Sequence, residues 1–179
     1  MKATGIVRRI DDLGRVVIPK EIRRTMRIRE GDPLEIFTDR DGEVIFKKYS
    51  PMGEITDFAA QICDSMHKST GSIAAICDRD SIVAIAGGAK RELLEKPVSA
   101  AVESIMENRG VYRHSGVSSV AVSDSEDSYG VSVAAPIISG GDIMGCVLII
   151  SPRGSESAGE LETKLAQTVS GFLGKQMES

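Results

Sequence analysis

The pattern of apolar and polar residues at the start of the chain predicts two short β-strands. In residues 4–10, an extended chain places Ile6, Arg8 and Ile10 on one face and Val7 and Arg9 on the other, and residues 15–18 are rich in β-branched side chains. Between them, residues 11–14 read Asp-Asp-Leu-Gly. This composition is typical of a tight turn, because Gly tolerates positive φ and Asp side chains bond nearby backbone N–H groups. A hairpin is therefore expected in this region.

A short basic helix is predicted next. Pro19 suits the first helical position, where its missing N–H costs nothing. Ile22 and Met26 lie one turn apart and are expected to face inward, while the arginines between them point to solvent. Arg27 suits the negative end of the last turn, and residues 31–33, Gly-Asp-Pro, end the helix.

A second hairpin completes this small unit. Residues 34–38 and 43–49 flank a turn at 39–42 that carries Gly in the position that needs it. The predicted order is β-β-α-β-β in about fifty residues, a size that buries only about 60% of its unfolded surface. The unit has no disulfide or metal ligands to compensate, so we expect an obligate dimer through residues 1–50.

The rest of the chain is predicted to form a separate domain. Pro and Gly near residue 51 indicate a boundary, which gives a domain at 1–50, a linker at 51–55 and a domain at 56–179. The pattern α-β-β-α-β-β-β-β-α indicates an antiparallel sheet with flanking helices, class α+β. The predicted elements are a helix with the stripe Ile55, Phe58, Ala59, Ile62 and Met66; strands at 73–77, 82–86, 111–114, 119–122, 129–138 and 146–150; a helical region at 90–108 broken at Pro97; and a helix at 160–177 with Leu161, Leu165, Val169, Phe172 and Met177 inward.

Charge is distributed unevenly along the chain. Residues 1–29 contain nine of the 22 Lys and Arg residues and three acidic ones, a net charge of +6, whereas the whole chain carries −4. A basic block on an acidic chain indicates a polyanionic partner. No aromatic side chain precedes Phe37, which disfavours stacking on single-stranded bases. Double-stranded DNA, read partly through its shape, fits better.

The remaining composition excludes several classes of protein. No apolar run approaches the roughly 18–20 residues needed to span a bilayer, and the N-terminus does not have the pattern of a signal peptide. Cys63, Cys77 and Cys146 are odd in number and lack metal-type spacing, so reduced core cysteines are expected. These observations predict a cytoplasmic protein without membrane contact.

Three motifs in the basic region closely resemble the AbrB family of DNA-binding regulators. They are TGIVRR at residues 4–9, DLGRVVIP at 12–19 and EIRR at 21–24. The resemblance implies a swapped-hairpin barrel, in which two chains interleave their hairpins. It also implies that five basic positions contact DNA: Arg8, Arg9, Arg15, Arg23 and Arg24. The alternative is a solvated face with surface ion pairs worth about 1 kcal/mol or less, but the few local acidic residues cannot neutralise nine basic ones.

The acidic part of the chain resembles the end of a GAF sensory domain. The residues that carry this resemblance are VAAPII at 133–138, Gly-Asp at 141–142 and GCVLII at 145–150. GAF domains commonly bind small effectors and pair through terminal helices. The resemblance therefore implies a tetramer through the C-terminal domains and an effector site whose ligand the sequence does not identify. AbrB-like and GAF-like domains together resemble regulators of sporulation genes, acting as activator, repressor or both.

No catalytic, cofactor or metal constellation is apparent. His67 lies near a predicted helix end and is expected to bond carbonyl groups, and His114 has no matching nucleophile. The segment Gly-Gly-Ala-Lys at 87–90 lacks the full pattern of a phosphate-binding loop and is expected to be a tight turn. The acidic segment at 123–128 lacks calcium-loop spacing and is expected to be solvated. The protein is therefore not expected to be an enzyme.

Three other functions remain open at this point. A swapped-hairpin antitoxin would bind DNA and a toxin, although such proteins usually carry a disordered toxin-wrapping tail and residues 54–177 are patterned as a folded domain. A small-ligand sensor or an enzyme could contact DNA only incidentally. A nucleoid-compacting protein would bind DNA with weak sequence preference.

Overall fold

A computed structural model of the chain describes residues 4–50, 52, 55–116, 118–157 and 159–178. The chain forms two compact units, Met1–Tyr49 and Ser50–Ser179, called here the N-terminal unit and the C-terminal unit. Each is built around its own hydrogen-bonded sheet.

The N-terminal unit contains one short helix and one hairpin. Helix α1 spans Lys20–Thr25, with Glu21 in its first turn. Strands β1, Leu34–Thr38, and β2, Val44–Lys48, pair antiparallel with Ile36 opposite Phe46. Gly42 has a φ of 83° in the turn between them, which confirms the predicted hairpin and its glycine.

The helix ends earlier than the sequence indicates. Pro19 is the residue before α1 rather than its first residue, and Met26 follows the last helical residue. Arg27 then adopts a φ of 51°, a left-handed conformation that stops the helix, so its predicted place in the last turn is wrong. Met26 is 57% exposed, so it does not face a core within this chain.

The two strands predicted at 4–10 and 15–18 are not observed. Within the described residues, the two segments are linked only beside the turn, where Asp11 N, just after the first segment, donates to Arg15 O at 3.0 Å. A two-stranded hairpin with no further strand to pair with is marginal in water. Neither segment has a third strand to pair with in the described part of its own chain, and the expected ladder does not form.

Polar contacts tie the end of α1 to the hairpin. Lys48 Nζ donates to Arg27 O at 2.9 Å and lies 3.6 Å from Asp32 Oδ2. The same Asp32 oxygen accepts a hydrogen bond from Arg29 N at 2.8 Å, and the Asp32 side chain is 4% exposed. A buried carboxylate needs such partners to offset the loss of water. Side-chain pairing therefore holds the segment after α1 against β2.

The C-terminal unit is a six-stranded antiparallel sheet covered on both faces. The strand order is β4-β3-β8-β7-β5, and β6 also pairs with β7. The helices and strands are α2 Thr56–Thr70, β3 Ile73–Asp78, β4 Ile82–Ala86, α3 Lys90–Leu93, α4 Ala100–Glu107, β5 Tyr112–Arg113, β6 Ala121–Ser123, β7 Glu126–Ser139, β8 Asp142–Pro152 and α5 Glu160–Gln176. The predicted α+β class is confirmed, and the helical region around Pro97 is two short helices.

Two hydrophobic cores lie on opposite faces of this sheet. On one face, α2 and α5 pack on Ala74, Ile76, Val147 and Ile149. On the other face, Leu93, Val98, Val102 and Met106 from the α3–α4 region pack on the alternate strand residues. Successive side chains of a strand point to opposite faces, so β8 contributes to both cores.

The buried face of α5 matches the predicted stripe in part, since Leu165, Val169 and Met177 pack against the core as expected. Leu161 is 62% exposed and Phe172 is 44% exposed, whereas Ala166, Ser170, Leu173 and Gly174 are buried. Small residues allow the helix to approach the sheet closely: a Cβ atom on Gly174 would overlap the carbonyl oxygen of Ile138. A search for large apolar side chains does not detect the small residues that contribute to this face.

No helix among the described residues is long and apolar enough to cross a membrane.

Two glycines of α5 provide a matched test of this packing. Gly174→Ala should destabilise the protein by about 1–3 kcal/mol or more, because the added methyl group must displace backbone. Gly171→Ala meets no atom within 4 Å and should stabilise the helix by roughly 0.5–1 kcal/mol. Urea unfolding of the full chain would measure both. Equal effects of the two substitutions would show that α5 does not contact β7 through Gly174.

Candidate nucleic-acid interface

The turn at residues 11–15 is built around one carboxylate. Asp11 Oδ1 accepts hydrogen bonds from Leu13 N at 3.0 Å and Arg15 N at 2.8 Å. Asp11 O accepts from Gly14 N at 3.0 Å, and Gly14 has a φ of 76°. The predicted turn chemistry is confirmed, since the Asp side chain satisfies backbone donors and Gly supplies the left-handed residue.

The Arg15 side chain is held by the same carboxylate. Arg15 Nε donates to Asp11 Oδ2 at 2.8 Å, while the Arg15 side chain remains 69% exposed. Hydrogen bonds from the Arg15 backbone and side chain lower the pKa of the Asp11 carboxyl, so Asp11 is ionised at neutral pH. The guanidinium is therefore oriented and still accessible.

Arg8 and Arg9 lie in the segment that leads into this turn, and both are exposed. Among the described residues, neither forms an ion pair or a side-chain hydrogen bond. Because a guanidinium carries a permanent charge and five N–H donors, these side chains are available for anionic groups outside the chain.

Arg23 and Arg24 lie side by side on α1 and are also exposed. Like the previous pair, they have no ion-pair partner in the part of the chain that the structure describes. The backbone of Arg23 is fixed at both ends, because its N–H donates to Pro19 O at 2.9 Å and its carbonyl accepts from Ile28 N at 2.7 Å. The helix thus presents two unneutralised guanidinium groups from a fixed backbone.

Two features of this surface were missed by sequence reasoning. The first is the contact of Asp11 with the Arg15 side chain, which the four-residue separation of opposite charges could have suggested. The second is the attachment of Lys48 to the segment after α1, which removes one lysine from the set of accessible cations. The second pairing joins residues 21 positions apart and has no local sequence signal.

The two histidines of the C-terminal unit have structural partners. His67 Nδ1 donates to Ser72 O at 2.9 Å, just beyond the end of α2 at Gly71. His114 Nδ1 lies 3.4 Å from the Tyr112 hydroxyl. The interpretation of His67 as a group that bonds a carbonyl near a helix end is confirmed.

Glu156 joins two loops near His114. Its carboxylate accepts hydrogen bonds from Ser119 Oγ and, at 2.7 Å, from Gly154 N. The Ser119 bond is the largest cause that lowers the pKa of Glu156, and nearby His114 contributes in the same direction. Burial, followed by the Glu156 charge, raises the pKa of Tyr112. Both carboxylate oxygens thus have partners within the protein.

The acidic segment at 123–128 and the glycines at 87–88 also have structural roles. Asp124 Oδ2 accepts a hydrogen bond from Ala100 N at the start of α4, and Asp127 pairs with Arg153. Gly87 packs against the His67 ring, and both glycines have positive φ. Within the described residues, no group of three or more His, Cys, Asp or Glu side chains is placed to hold a metal ion.

All three cysteines are free and buried. Burial raises the pKa of the Cys63 thiol to about 12 and places that of Cys146 well above its ordinary value. Cys77 lies directly opposite Cys146 on neighbouring strands, and its Sγ donates to Cys146 O at 3.6 Å. Reduced core cysteines, as expected from the sequence, are confirmed.

Two protein-family models match the chain. The model described as "Stage V sporulation protein T C-terminal, transcription factor" matches residues 54–178. The model described as "Antidote-toxin recognition MazE, bacterial antitoxin" matches residues 7–53. The first model covers more than half of the chain, and the second covers most of the N-terminal unit.

Known proteins resemble both the whole chain and its parts. The chain is 52% identical to stage V sporulation protein T of Bacillus subtilis (strain 168), over 99% of each chain. It is 63% identical to the N-terminal DNA recognition domain of Bacillus subtilis AbrB, a solved structure, over 28% of this chain and 94% of that one, with a TM-score of 0.25. The GAF domain of an Acinetobacter phosphoenolpyruvate-protein phosphotransferase has a TM-score of 0.55 and 12% identity over 73% of this chain and 84% of that chain. The AbrB-like and GAF-like resemblances are confirmed.

The burial of the cysteines predicts their reactivity. With a pKa of about 12, Cys63 is ionised to about one part in ten thousand at pH 8, so native protein should not react with Ellman's reagent. In urea, all three thiols should react. Ser104→Cys, on the exposed side of α4, provides an accessible thiol for comparison. A native cysteine that reacts as fast as this control would contradict the buried assignment.

Proposed function

Since the chain belongs to the stage V sporulation protein T family of transcription factors, we propose that it regulates sporulation genes by binding promoter DNA through its N-terminal unit. Sequence identity over the full chain supports this proposal. Activation or repression would then depend on where the bound protein lies relative to a promoter. Such a role places the protein in the cytoplasm, where the chromosome is accessible.

The observation that carries the proposal is the exposed arginine set of the N-terminal unit. Arg8, Arg9, Arg23 and Arg24 have no ion-pair partner among the described residues, and Arg15 is exposed and oriented. Unneutralised guanidinium groups on one small unit attract a polyanion. The related AbrB domain is described as a DNA recognition domain, which supports DNA as that polyanion.

Dimerisation would supply the core that the N-terminal unit lacks. Pro19 is the one buried residue among the described positions 4–49. Large apolar side chains throughout the unit are exposed, including Val7 at 89%, Ile10 at 69% and Ile36 at 60%. Burying them stabilises the folded state by about 25 cal/mol per Å². We propose that two copies interleave residues 1–50 into a swapped-hairpin barrel, in which the segments 4–10 and 15–18 gain strand partners.

A second interface is proposed on the C-terminal unit, where α2 and α5 form an apolar groove of about 310 Å³. Ile62, Leu165 and Val169 line this groove. The rings of Phe58 and Phe172 lie 6.0 Å apart, and both side chains remain more than a third exposed. Aromatic pairs of this kind are typical anchors of protein interfaces. Pairing of this face would join two dimers into a tetramer and increase avidity for DNA.

The segment after residue 50 provides a route between the two units. We propose a DNA-binding domain at 1–50, a linker at 51–55 and a sensory domain at 56–179. Met52 is fully buried in the core beneath α2 and α5, and Ser50 Oγ lies 3.3 Å from Asp78 Oδ2. A small effector that favours one arrangement of the sensory domains by about 1–3 kcal/mol would thereby alter DNA binding.

The antitoxin alternative is supported by the family match at residues 7–53. A toxin-wrapping tail that is disordered alone would lack a packed core. Here the residues after this region form a sheet with two buried cores. We therefore favour the regulator over the antitoxin.

DNA binding is tested by removing the adjacent helix arginines. Arg23→Ala/Arg24→Ala should weaken binding to a promoter duplex and reduce the slope of log K against log salt by roughly 0.9 for each phosphate that is no longer neutralised. Fluorescence anisotropy across a salt series, with a promoter duplex and a scrambled one, would measure both quantities. Lys90→Ala/Arg91→Ala, an exposed basic pair on α3, removes equal charge from the other unit.

The control variant should bind like wild type. If the Arg23/Arg24 variant retains promoter preference with a reduced slope, these arginines contact phosphates and other arginines read bases. If it binds like wild type, this part of the proposed contact surface is wrong. If wild type does not bind duplex DNA, the proposed regulator function is wrong.

The second interface is tested by placing negative charges on the proposed contact face. Phe58→Glu/Phe172→Glu should convert a tetramer to a dimer, because burying two carboxylates in an apolar contact is unfavourable. Gln167→Glu adds a negative charge at another exposed position of α5 and should leave the tetramer intact. Light scattering after gel filtration would measure the mass. An unchanged mass of the double variant would exclude this face as the interface.

A further inference from the structure

We propose that Asp11 is a positioning residue that holds the Arg15 guanidinium ready to read a base edge, so that Asp11 contributes to sequence preference rather than to affinity. The inference rests on the proposed function, because it takes duplex DNA as the partner of Arg15. It assigns a role in DNA recognition to an acidic residue within a basic surface.

The geometry fixes the carboxylate first. Asp11 Oδ1 accepts from the backbone N–H groups of Leu13 and Arg15, and Asp11 N donates to Arg15 O at 3.0 Å. These bonds lock the carboxylate plane relative to the turn. Asp11 Oδ2 is left to accept from Arg15 Nε at 2.8 Å. Because the carboxylate is fixed to the backbone, this charge-assisted hydrogen bond of normal length also fixes the orientation of the guanidinium relative to the backbone.

The remaining donors of Arg15 suit a base edge. Asp11 occupies the Nε–H, which leaves the two terminal nitrogens of a side chain that is 69% exposed. Two parallel N–H groups match the O6 and N7 acceptors of guanine in the major groove. A side chain already held in one orientation loses less conformational entropy on binding. Arg15 is therefore better prepared for directional contact than a freely rotating arginine.

Arg23 and Arg24 provide the contrast. No carboxylate holds either side chain within the described residues. Phosphate oxygens can be reached from many directions and require charge more than orientation. These two arginines therefore suit phosphate contacts, whereas Arg15 suits a base.

The charge of Asp11 also argues for positioning. An ionised carboxylate on the DNA-facing side repels phosphate and weakens binding to every sequence. Asp12 is exposed and makes no side-chain hydrogen bond or ion pair among the described residues, whereas Asp11 makes three hydrogen bonds through its carboxylate. Removing the charge of Asp11 should consequently have two opposite effects, stronger binding to any duplex and weaker discrimination between duplexes.

The test uses Asp11→Asn in the full chain. The amide oxygen can still accept from the backbone of Leu13 and Arg15, but an NH₂ group replaces Oδ2 and cannot accept from Arg15 Nε. Asp12→Asn is the matched control, because it removes the same charge one residue away. The probes are a duplex selected by the wild-type protein from a randomised pool and a scrambled duplex of equal composition, compared by fluorescence anisotropy.

Asp11→Asn should reduce discrimination between the two duplexes by about fivefold or more, while binding to the scrambled duplex stays equal or becomes tighter. Asp12→Asn should tighten binding to both duplexes equally and leave the ratio unchanged. In an Arg15→Ala background, Asp11→Asn should change the ratio by less than about twofold, because its effect passes through Arg15. Asp11→Ser, whose hydroxyl can cap the turn without reaching Arg15, should repeat the loss of discrimination.

The inference would be overturned if Asp11→Asn and Asp12→Asn gave the same discrimination between the two duplexes. It would also be overturned if Asp11→Asn and Asp11→Ser each weakened binding to both duplexes equally. A further loss in the Arg15→Ala background would also overturn it. If the wild-type protein selects no duplex over the scrambled one, the proposed function itself is wrong.

Discussion

Burial of apolar side chains is the requirement on which the N-terminal unit depends. Its described residues include one buried position, Pro19, while Val7, Ile10 and Leu13 are each at least 69% exposed. A unit of this size has too little interior to be stable alone. The local order that it does have comes from polar contacts, around Asp11 in the first turn and around Asp32 beside β2. Polar contacts of this kind specify geometry more effectively than they stabilise a fold.

The C-terminal unit meets the same requirement within one chain. Its sheet has a core on each face, and the small residues of α5 let that helix approach β7 closely. The apolar groove between α2 and α5 lies over one of these cores, since its lining includes the buried Met66 together with Ile62, Leu165 and Val169. The two units thus differ in what they leave exposed. One exposes most of its apolar side chains together with a set of arginines, and the other exposes a limited groove on an otherwise complete domain.

Elements with local signals were predictable from the sequence, and elements that depend on distant partners were not. The hairpin closed by Gly42, the end of α2 at Gly71 and the break at Pro97 follow from residues with fixed backbone preferences. The strands expected at 4–10 and 15–18 need partners beyond their own hairpin. On the candidate site, charge and motif predicted the set of arginines, but neither showed that a carboxylate holds Arg15.

Strand β8 restricts how this family can diverge. Six consecutive residues, 145–150, are buried, because neighbouring positions face different cores. Gly145 adds a further limit, since a Cβ atom there would overlap Cys77 O. A strand with one solvent-facing side can accumulate neutral substitutions at every second position, whereas residues 145–150 of β8 include no solvent-facing position. Drift should therefore be concentrated in exposed turns such as 124–125, and the GCVLII segment should change only when residues on both sides of the sheet change with it.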